Sequence, residues 1–278
     1  MLVSGRTLLA EAVAQKRAVG SFNTYNLEIT QAIICAAEAQ RQPVFLAVGK
    51  GALDFAGFGP LTRAMLAVAE EATVPVAIHL DHSPDVATIS RCLEAGFTSF
   101  MIDGSLLPFD ENIALTREAV RAASGSTVEA ELGGVAGAED ASGDQTSVIP
   151  MTDPDQAVAF VAETGVDSLA IAIGNAHGFY SGEPQLDFNR LAVLAQRVPV
   201  PLVLHGASGI TDADIRRCIE LGIRKINVNT EIRYALFQSL EDSLRQGVRG
   251  YDVTRLFGAA IAAMQKTVEE KIARLAGR

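Results

Sequence analysis

Eight short apolar or β-branched runs, separated by segments of helical spacing and joined by no linker, predict an α/β chain folded as a single (β/α)8 barrel of the TIM type. That barrel spans residues 1–278, with additional C-terminal helices from about residue 231. The length suits one large barrel or two small domains, and 49% hydrophobic content is ample for a core. A doubly wound open sheet is the alternative. None of the eight runs has the polar character of an edge strand, which favours closure.

Taken in order, the first strand is 18–22, followed by helical spacing over 27–39. The second is 43–48, with a helix over 61–71, and the third is 74–80, with a helix over 86–95. A fourth at 98–102 precedes a helix over 112–123. The fifth, 127–131, is separated from its helix over 154–164 by a long polar loop. The sixth, 168–173, precedes a helix over 188–196, and the seventh, 201–204, precedes one over 212–221. After the eighth, 225–228, the apolar periodicity continues over 235–244 and 251–275, interrupted by GVRG.

A formal charge of −10 argues against a nucleic-acid or anionic-membrane partner, because both reward a basic patch. Residues 1–20 carry Arg6, Glu11, Lys16 and Arg17 among apolar residues, so they lack the uninterrupted core of a signal peptide. No later run reaches transmembrane length, and the expectation is a cytoplasmic enzyme. Cys35, Cys92 and Cys218 lie far apart in helix-patterned segments and read as reduced core thiols.

Barrel chemistry sits at the C-terminal ends of the strands. All four histidines fall there: His79 and His82 at the end of the third strand, His177 after the sixth and His205 at the end of the seventh. Three imidazoles from three strands, with a position left open, make the ligand set of a catalytic zinc ion, and His82, His177 and His205 are the natural choice. His79 lies deeper and reads as a buried, hydrogen-bonded histidine. Asp81, Asp103, Glu129 and Glu131 also fall at strand ends, where a carboxylate can orient a ligand, hold a second cation or move a proton. Each alone is a weak signal; beside the histidines they form a strong one.

After the seventh strand comes Gly206, Ala207, Ser208, Gly209, and after the eighth Asn227, Val228, Asn229, Thr230 opens a helix. Small residues let backbone N–H groups approach an anion, and a helix N-terminus adds a favourable dipole. These two loops are where barrels commonly hold phosphate.

HLDH, MIDGS, VEAELG, VDSLAIAIG, AHG, PLVLHGASG and KINVNTE, in this order and spacing, closely resemble the class II, zinc-dependent ketose-bisphosphate aldolases over nearly the whole chain. MIDGSLLPFDENI and LDFNRL place it nearest the tagatose-bisphosphate branch. The resemblance implies Zn2+ on His82, His177 and His205, proton transfer by Asp81, and dihydroxyacetone phosphate contacts from Gly178, from Gly206, Ala207 and Ser208, and from Asn227, Val228, Asn229 and Thr230. It also implies a possible second metal at Asp103 and Glu131, and a monovalent cation, Na+ or K+, near the phosphate. Glu139, in GGVAGAEDASGDQTS, matches a mobile-loop glutamate that handles the proton on the substrate carbon. The expected reaction is reversible cleavage of tagatose or fructose 1,6-bisphosphate to dihydroxyacetone phosphate and an aldehyde such as glyceraldehyde 3-phosphate. Such cleavage leaves a carbanion-like product that needs an electron sink, which zinc supplies while neutral histidines preserve its charge. Relatives pack a C-terminal tail like 256–275 against neighbours, which implies a homodimer or homotetramer.

Departures from the family pattern are Ser83 and Pro84 after HLDH, Ala136 for a loop glycine, and Ile261 near a position commonly basic in relatives. Ile261 raises the alternative of a ketose 1-monophosphate substrate, although Lys50, Arg233 or Arg255 are replacement cations. Two further readings are a metal-dependent phosphosugar epimerase or isomerase, distinguishable by its products, and a non-catalytic partner subunit. The latter conflicts with retention of the three histidines and Asp81.

Overall fold

A computed structural model describes residues 1–135, 150–180, 182–247 and 251–277. The elements are α1 (Gly5–Gln15), β1 (Val19–Asn23), α2 (Leu27–Gln40), β2 (Val44–Gly49), α3 (Lys50–Ala56), α4 (Phe58–Glu71), β3 (Val76–Ser83), α5 (Val86–Glu94), β4 (Ser99–Ile102) and α6 (Phe109–Ala122). They continue as β5 (Thr127–Leu132), α7 (Pro154–Thr164), β6 (Ser168–Ile171), α8 (Phe188–Arg197), β7 (Leu202–Leu204), α9 (Asp212–Leu221), β8 (Ile223–Val228), α10 (Thr230–Arg245) and α11 (Val253–Leu275). The eight strands pair in parallel, each with the next, and β8 closes on β1, giving the predicted (β/α)8 barrel. No helix among the described residues is long and apolar enough to cross a membrane.

Side-chain alternation divides each strand between two environments. One set, including Phe22, Leu46, Ile78, Leu80, Phe100, Val128, Leu169, Leu204 and Ile226, joins the large core between sheet and helices. The alternate set faces the lumen. At its N-terminal end Val19, Phe45 and Ala77 pack with Leu8, Leu9 and Ala12 of α1, and Met101, Ala170 and Val203 form a small cluster of their own. Toward the C-terminal end the lumen set turns polar, with His79, Asp81, Glu129, Glu131, His205, Lys225 and Asn227 all buried. The strands read as almost continuously apolar in sequence because these residues come singly among outward-facing aliphatics.

Two helices were not anticipated. α1 closes the barrel floor, and its first turn approaches so closely that a Cβ on Gly5 would lie 2.7 Å from Ser99 Oγ. α3 is a seven-residue segment directly after β2. α10 proves to be the helix that completes the eighth β/α unit, so the additional helix is α11 alone. α11 buries Ala260, Met264, Val268, Ile272 and Leu275, packing on α2 and α10 within its own chain. Its apolar face is therefore occupied and carries no argument for self-association. Cys92 and Cys218 are buried as expected, whereas Cys35 is exposed on α2, a correction to its reading as a core thiol.

Candidate active site

The site begins with a distortion of β3. Strict alternation would turn His82 outward after the inward-facing Asp81. Instead His82 takes the left-handed conformation, φ 44°, and the register against β4 shifts between Leu80 and Ser83. A non-glycine residue there costs on the order of 1–3 kcal/mol, a strain that concentrates at functional positions. The kink lets consecutive residues both serve the barrel mouth.

His82 Nδ1 lies 2.7 Å from Asp103 Oδ2, at the end of β4, and the other oxygen of Asp103 accepts the Ser105 N–H at 3.0 Å. His205 Nε2 lies 2.9 Å from Glu129 Oε1 on β5. Burial opposes the charge on both carboxylates. The bond to His82 outweighs it at Asp103, and Lys225 with His205 outweighs it at Glu129, so each is held well below the usual carboxylate range. Each is thus an acceptor only, so a neutral ring carries its proton on Nδ1 in His82 and on Nε2 in His205. The opposite nitrogens, His82 Nε2 and His205 Nδ1, face each other at 2.9 Å, and in the neutral rings both present lone pairs. Two acceptors do not sit at that distance without a proton or a cation between them. Tetrahedral zinc, with Zn–N near 2.0–2.1 Å, sets its nitrogens roughly 3.3 Å apart, so this donor set fits that ion. His177 stands edge-on to both rings, with centroids 5.1 Å from His82 and 6.2 Å from His205, and one ligand atom from each of the three residues falls within 4.8 Å of the others.

A second group, His82, Asp103 and Glu131, meets the same 4.8 Å condition. Glu131 Oε2 is buried with no hydrogen-bond partner, 4.0 Å from His82 Nδ1. Burial and then the neighbouring Asp103 push Glu131 up to about 7. Its oxygen and the Asp103 carboxylate make an acidic pocket under His82 suited to a cation.

These geometries agree with what the chain resembles. The model of the class II fructose-bisphosphate aldolases matches residues 3–277. This chain belongs to the class II fructose-bisphosphate aldolase family. It is 41% identical to a fructose-bisphosphate aldolase of Thermus caldophilus, covering 98% of this chain and 97% of that one. It is also 41% identical to the D-tagatose-1,6-bisphosphate aldolase subunit GatY of Klebsiella oxytoca, over 98% and 96%. Among solved structures, the YdjI aldolase of Escherichia coli K12 superposes with a TM-score of 0.88 at 39% identity, over 99% of this chain and 97% of that one. As a class II aldolase the chain is a lyase, and its barrel mouth is the place to look for carbon–carbon cleavage.

Asp81 is fully buried at that mouth, in register with Gly49. Its Oδ2 accepts Asn23 Nδ2 at 2.8 Å and its Oδ1 accepts Asn227 Nδ2 at 3.2 Å, while His79 Nε2 stands 3.7 Å away. Asn227 therefore holds the carboxylate and also lines the neighbouring pocket. His79 itself is fully buried and bonded to Ser99 Oγ at 2.8 Å. Burial, and next the Lys225 cation, hold it neutral, well below the ordinary imidazole range.

A pocket beside these groups is lined by His177, Gly178, Gly206, Ser208, Asn227, Asn229 and Thr230. Gly206 has φ 63°, and a Cβ there would lie 2.2 Å from the Ala176 carbonyl oxygen, so only glycine fits. Tyr180 clamps the loop: its hydroxyl accepts the Ala176 N–H and donates to the Gly206 carbonyl, both at 2.9 Å. Thr230, which lines the pocket, is the first residue of α10, so the positive end of that helix lies beside it. Ala207 and Val228, the remaining residues of the two loops, are not among the residues lining the pocket. Both side chains are buried in the outer core, and the Ala207 N–H is already engaged with the Asn227 carbonyl at 3.4 Å.

Glu139 and Ala136 lie outside the described residues. Ile261 packs against the core, Lys50 pairs with Asp54 at 2.5 Å, and the Arg233 guanidinium sits 5.6 Å over the Tyr25 ring. Tyr25 bonds Asn229, which brings Arg233 beside the pocket that Asn229 lines. Sequence reasoning missed Asn23, Tyr180 and Lys225. Asn23 and Lys225 carry a signal, a polar residue on the inward-facing side of a strand; Tyr180 carries none until the loop is folded.

Proposed function

We propose that this aldolase binds catalytic Zn2+ on His82, His177 and His205 and cleaves a ketohexose 1,6-bisphosphate of the tagatose or fructose type, releasing dihydroxyacetone phosphate and glyceraldehyde 3-phosphate. The observation that carries the reading is the convergence of His82 Nε2 and His205 Nδ1 at 2.9 Å, each ring held from behind by a carboxylate, with His177 within ligand reach of both. Zinc there would supply the Lewis acidity that stabilises negative charge developing on the donor half of the substrate.

This chain's own residues do the rest. Asp81, oriented by Asn23 and Asn227, removes the proton of the C4 hydroxyl during cleavage and returns it during condensation. The donor phosphate sits against Gly178, Gly206, Ser208 and Thr230, with Asn227 and Asn229 on its flank. Glu139 is the base for the donor carbon. Asp103 and Glu131 are a site for a second cation, and a monovalent cation, Na+ or K+, accompanies the phosphate. We further propose that residues 1–278 form one domain and that the enzyme is cytoplasmic, with a phosphorylated sugar as its partner rather than nucleic acid or membrane. A homodimer or homotetramer is supported by the exposed Phe179, Tyr234 and Phe237, the first two in edge-to-face contact at 5.6 Å.

A second reading, cleavage of a ketose 1-monophosphate, is favoured by one observation: Ile261 offers no cation for a distal phosphate. One charge-assisted contact is worth about 1.5–3 kcal/mol, roughly ten- to a hundredfold in binding. The test is a panel of ketose mono- and bisphosphates in both C4 configurations, scored by kcat/KM. We expect the bisphosphates to lead. A strong preference for the monophosphate would overturn the ranking, and Ile261→Lys would then be expected to restore the bisphosphate. A C-epimer in place of an aldehyde product would move the enzyme to another class.

A further inference from the structure

Lys225 is the one buried lysine among the described residues, and the chemistry above does not use it. Its ammonium lies within the barrel, 3.0 Å from Glu129 Oε2, 3.1 Å from Glu129 Oε1 and 3.4 Å from His79 Nε2, with the Phe45 ring 5.4 Å away. Glu129 Oε1 also receives His205 at 2.9 Å, and its Oε2 receives the Ser168 hydroxyl at 3.4 Å. Donors thus converge on one carboxylate from two sides, Lys225 from the barrel interior and His205 from the mouth.

A buried ion pair is a poor way to add stability, because desolvation offsets most of the attraction and an apolar pair would fill the same space. This pair does something an apolar pair cannot. Lys225 can only donate, so it leaves Glu129 as an acceptor for His205, and the imidazole proton stays on Nε2. We propose that Lys225 is a positioning residue which, through Glu129, keeps the His205 Nδ1 lone pair aimed at the metal position. The inference rests on the three-histidine reading above. Without the ammonium, a carboxylate sealed from water has no counter-charge, so Glu129 turns away and His205 is released to other orientations and to the other tautomer.

The test is the zinc dissociation constant of the full-length enzyme, measured by competition with a chromophoric chelator and paired with the visible spectrum of the cobalt-substituted protein. Wild type, Lys225→Met, Lys225→Met/Glu129→Gln and His205→Ala are compared, with thermal midpoints of the metal-free proteins. Outer partners of metal ligands typically affect affinity roughly 10- to 100-fold, and we expect a loss of that size in both Lys225 variants, with an altered cobalt spectrum. The double variant removes both charges together, so its thermal midpoint should return toward wild type while its zinc affinity stays low. Wild-type zinc affinity in Lys225→Met, or its return in the double variant, would reduce Lys225 to a structural counter-ion and overturn the proposal. Wild-type affinity in His205→Ala would instead sink the three-histidine reading itself.

Discussion

Asn23 donates its amide N–H to Asp81 at 2.8 Å, tying the end of β1 to the end of β3 across the barrel mouth. With Asn227 on the other oxygen at 3.2 Å, it leaves the Asp81 carboxylate one orientation in a site where it is fully buried. A base held this way has lost its rotational freedom before substrate arrives.

Asp81→Ala should therefore keep its zinc and fold but lose roughly 10²- to 10⁴-fold in kcat for cleavage, the usual contribution of a positioned acid or base. Proton exchange into dihydroxyacetone phosphate should survive better, because that step uses another base. Asn23→Ala should cost less, on the order of tenfold, consistent with one bond to a charged group. Equal loss of cleavage and exchange in Asp81→Ala would refute the division of labour.

Gly206→Ala puts a Cβ 2.2 Å from the Ala176 carbonyl at a positive φ, so the loop must move. Measured in the condensation direction, the KM for dihydroxyacetone phosphate should rise at least about tenfold, since the backbone N–H groups that cradle the anion are displaced. An unchanged KM would detach this loop from the phosphate.

Light scattering of the purified chain should give two or four times the 29.3 kDa protomer mass. The exposed aromatic residues of α10, Tyr234 and Phe237, are the surface to alter next, and Phe237→Glu should shift the mass downward. A wild-type mass of one chain would rule out assembly.

The barrel was legible in the sequence because each strand carries an apolar run and each helix a period, and helices α7 and α9 match their expected bounds at both ends. The histidines were legible because there are only four, and all lie in the C-terminal half of an expected strand or after it. What the sequence hid is direction. Nothing in HLDHS announces that His82 adopts a left-handed backbone, yet that rotation joins it to His205. Lys225 reads as a flanking residue of the eighth strand because basic residues such as Arg224 and Lys225 are ordinary at a strand's start, and only closure of the barrel seals Lys225 beside Glu129. Ala207 and Val228 belong to the right loops but point outward, a distinction set by strand register. α1 and α3 were missed because one precedes the first repeat and the other is only seven residues long.

The central claim is that a single zinc on His82, His177 and His205 supports carbon–carbon cleavage. The most direct measurement is zinc titration of chelator-treated enzyme, following aldehyde release from the preferred ketose phosphate and the intact mass after borohydride is added with substrate. The account predicts no cleavage without metal, a linear recovery that reaches its plateau at about one zinc per chain, and no added mass. Full activity in the metal-free protein, with a borohydride-trapped lysine adduct, would contradict it.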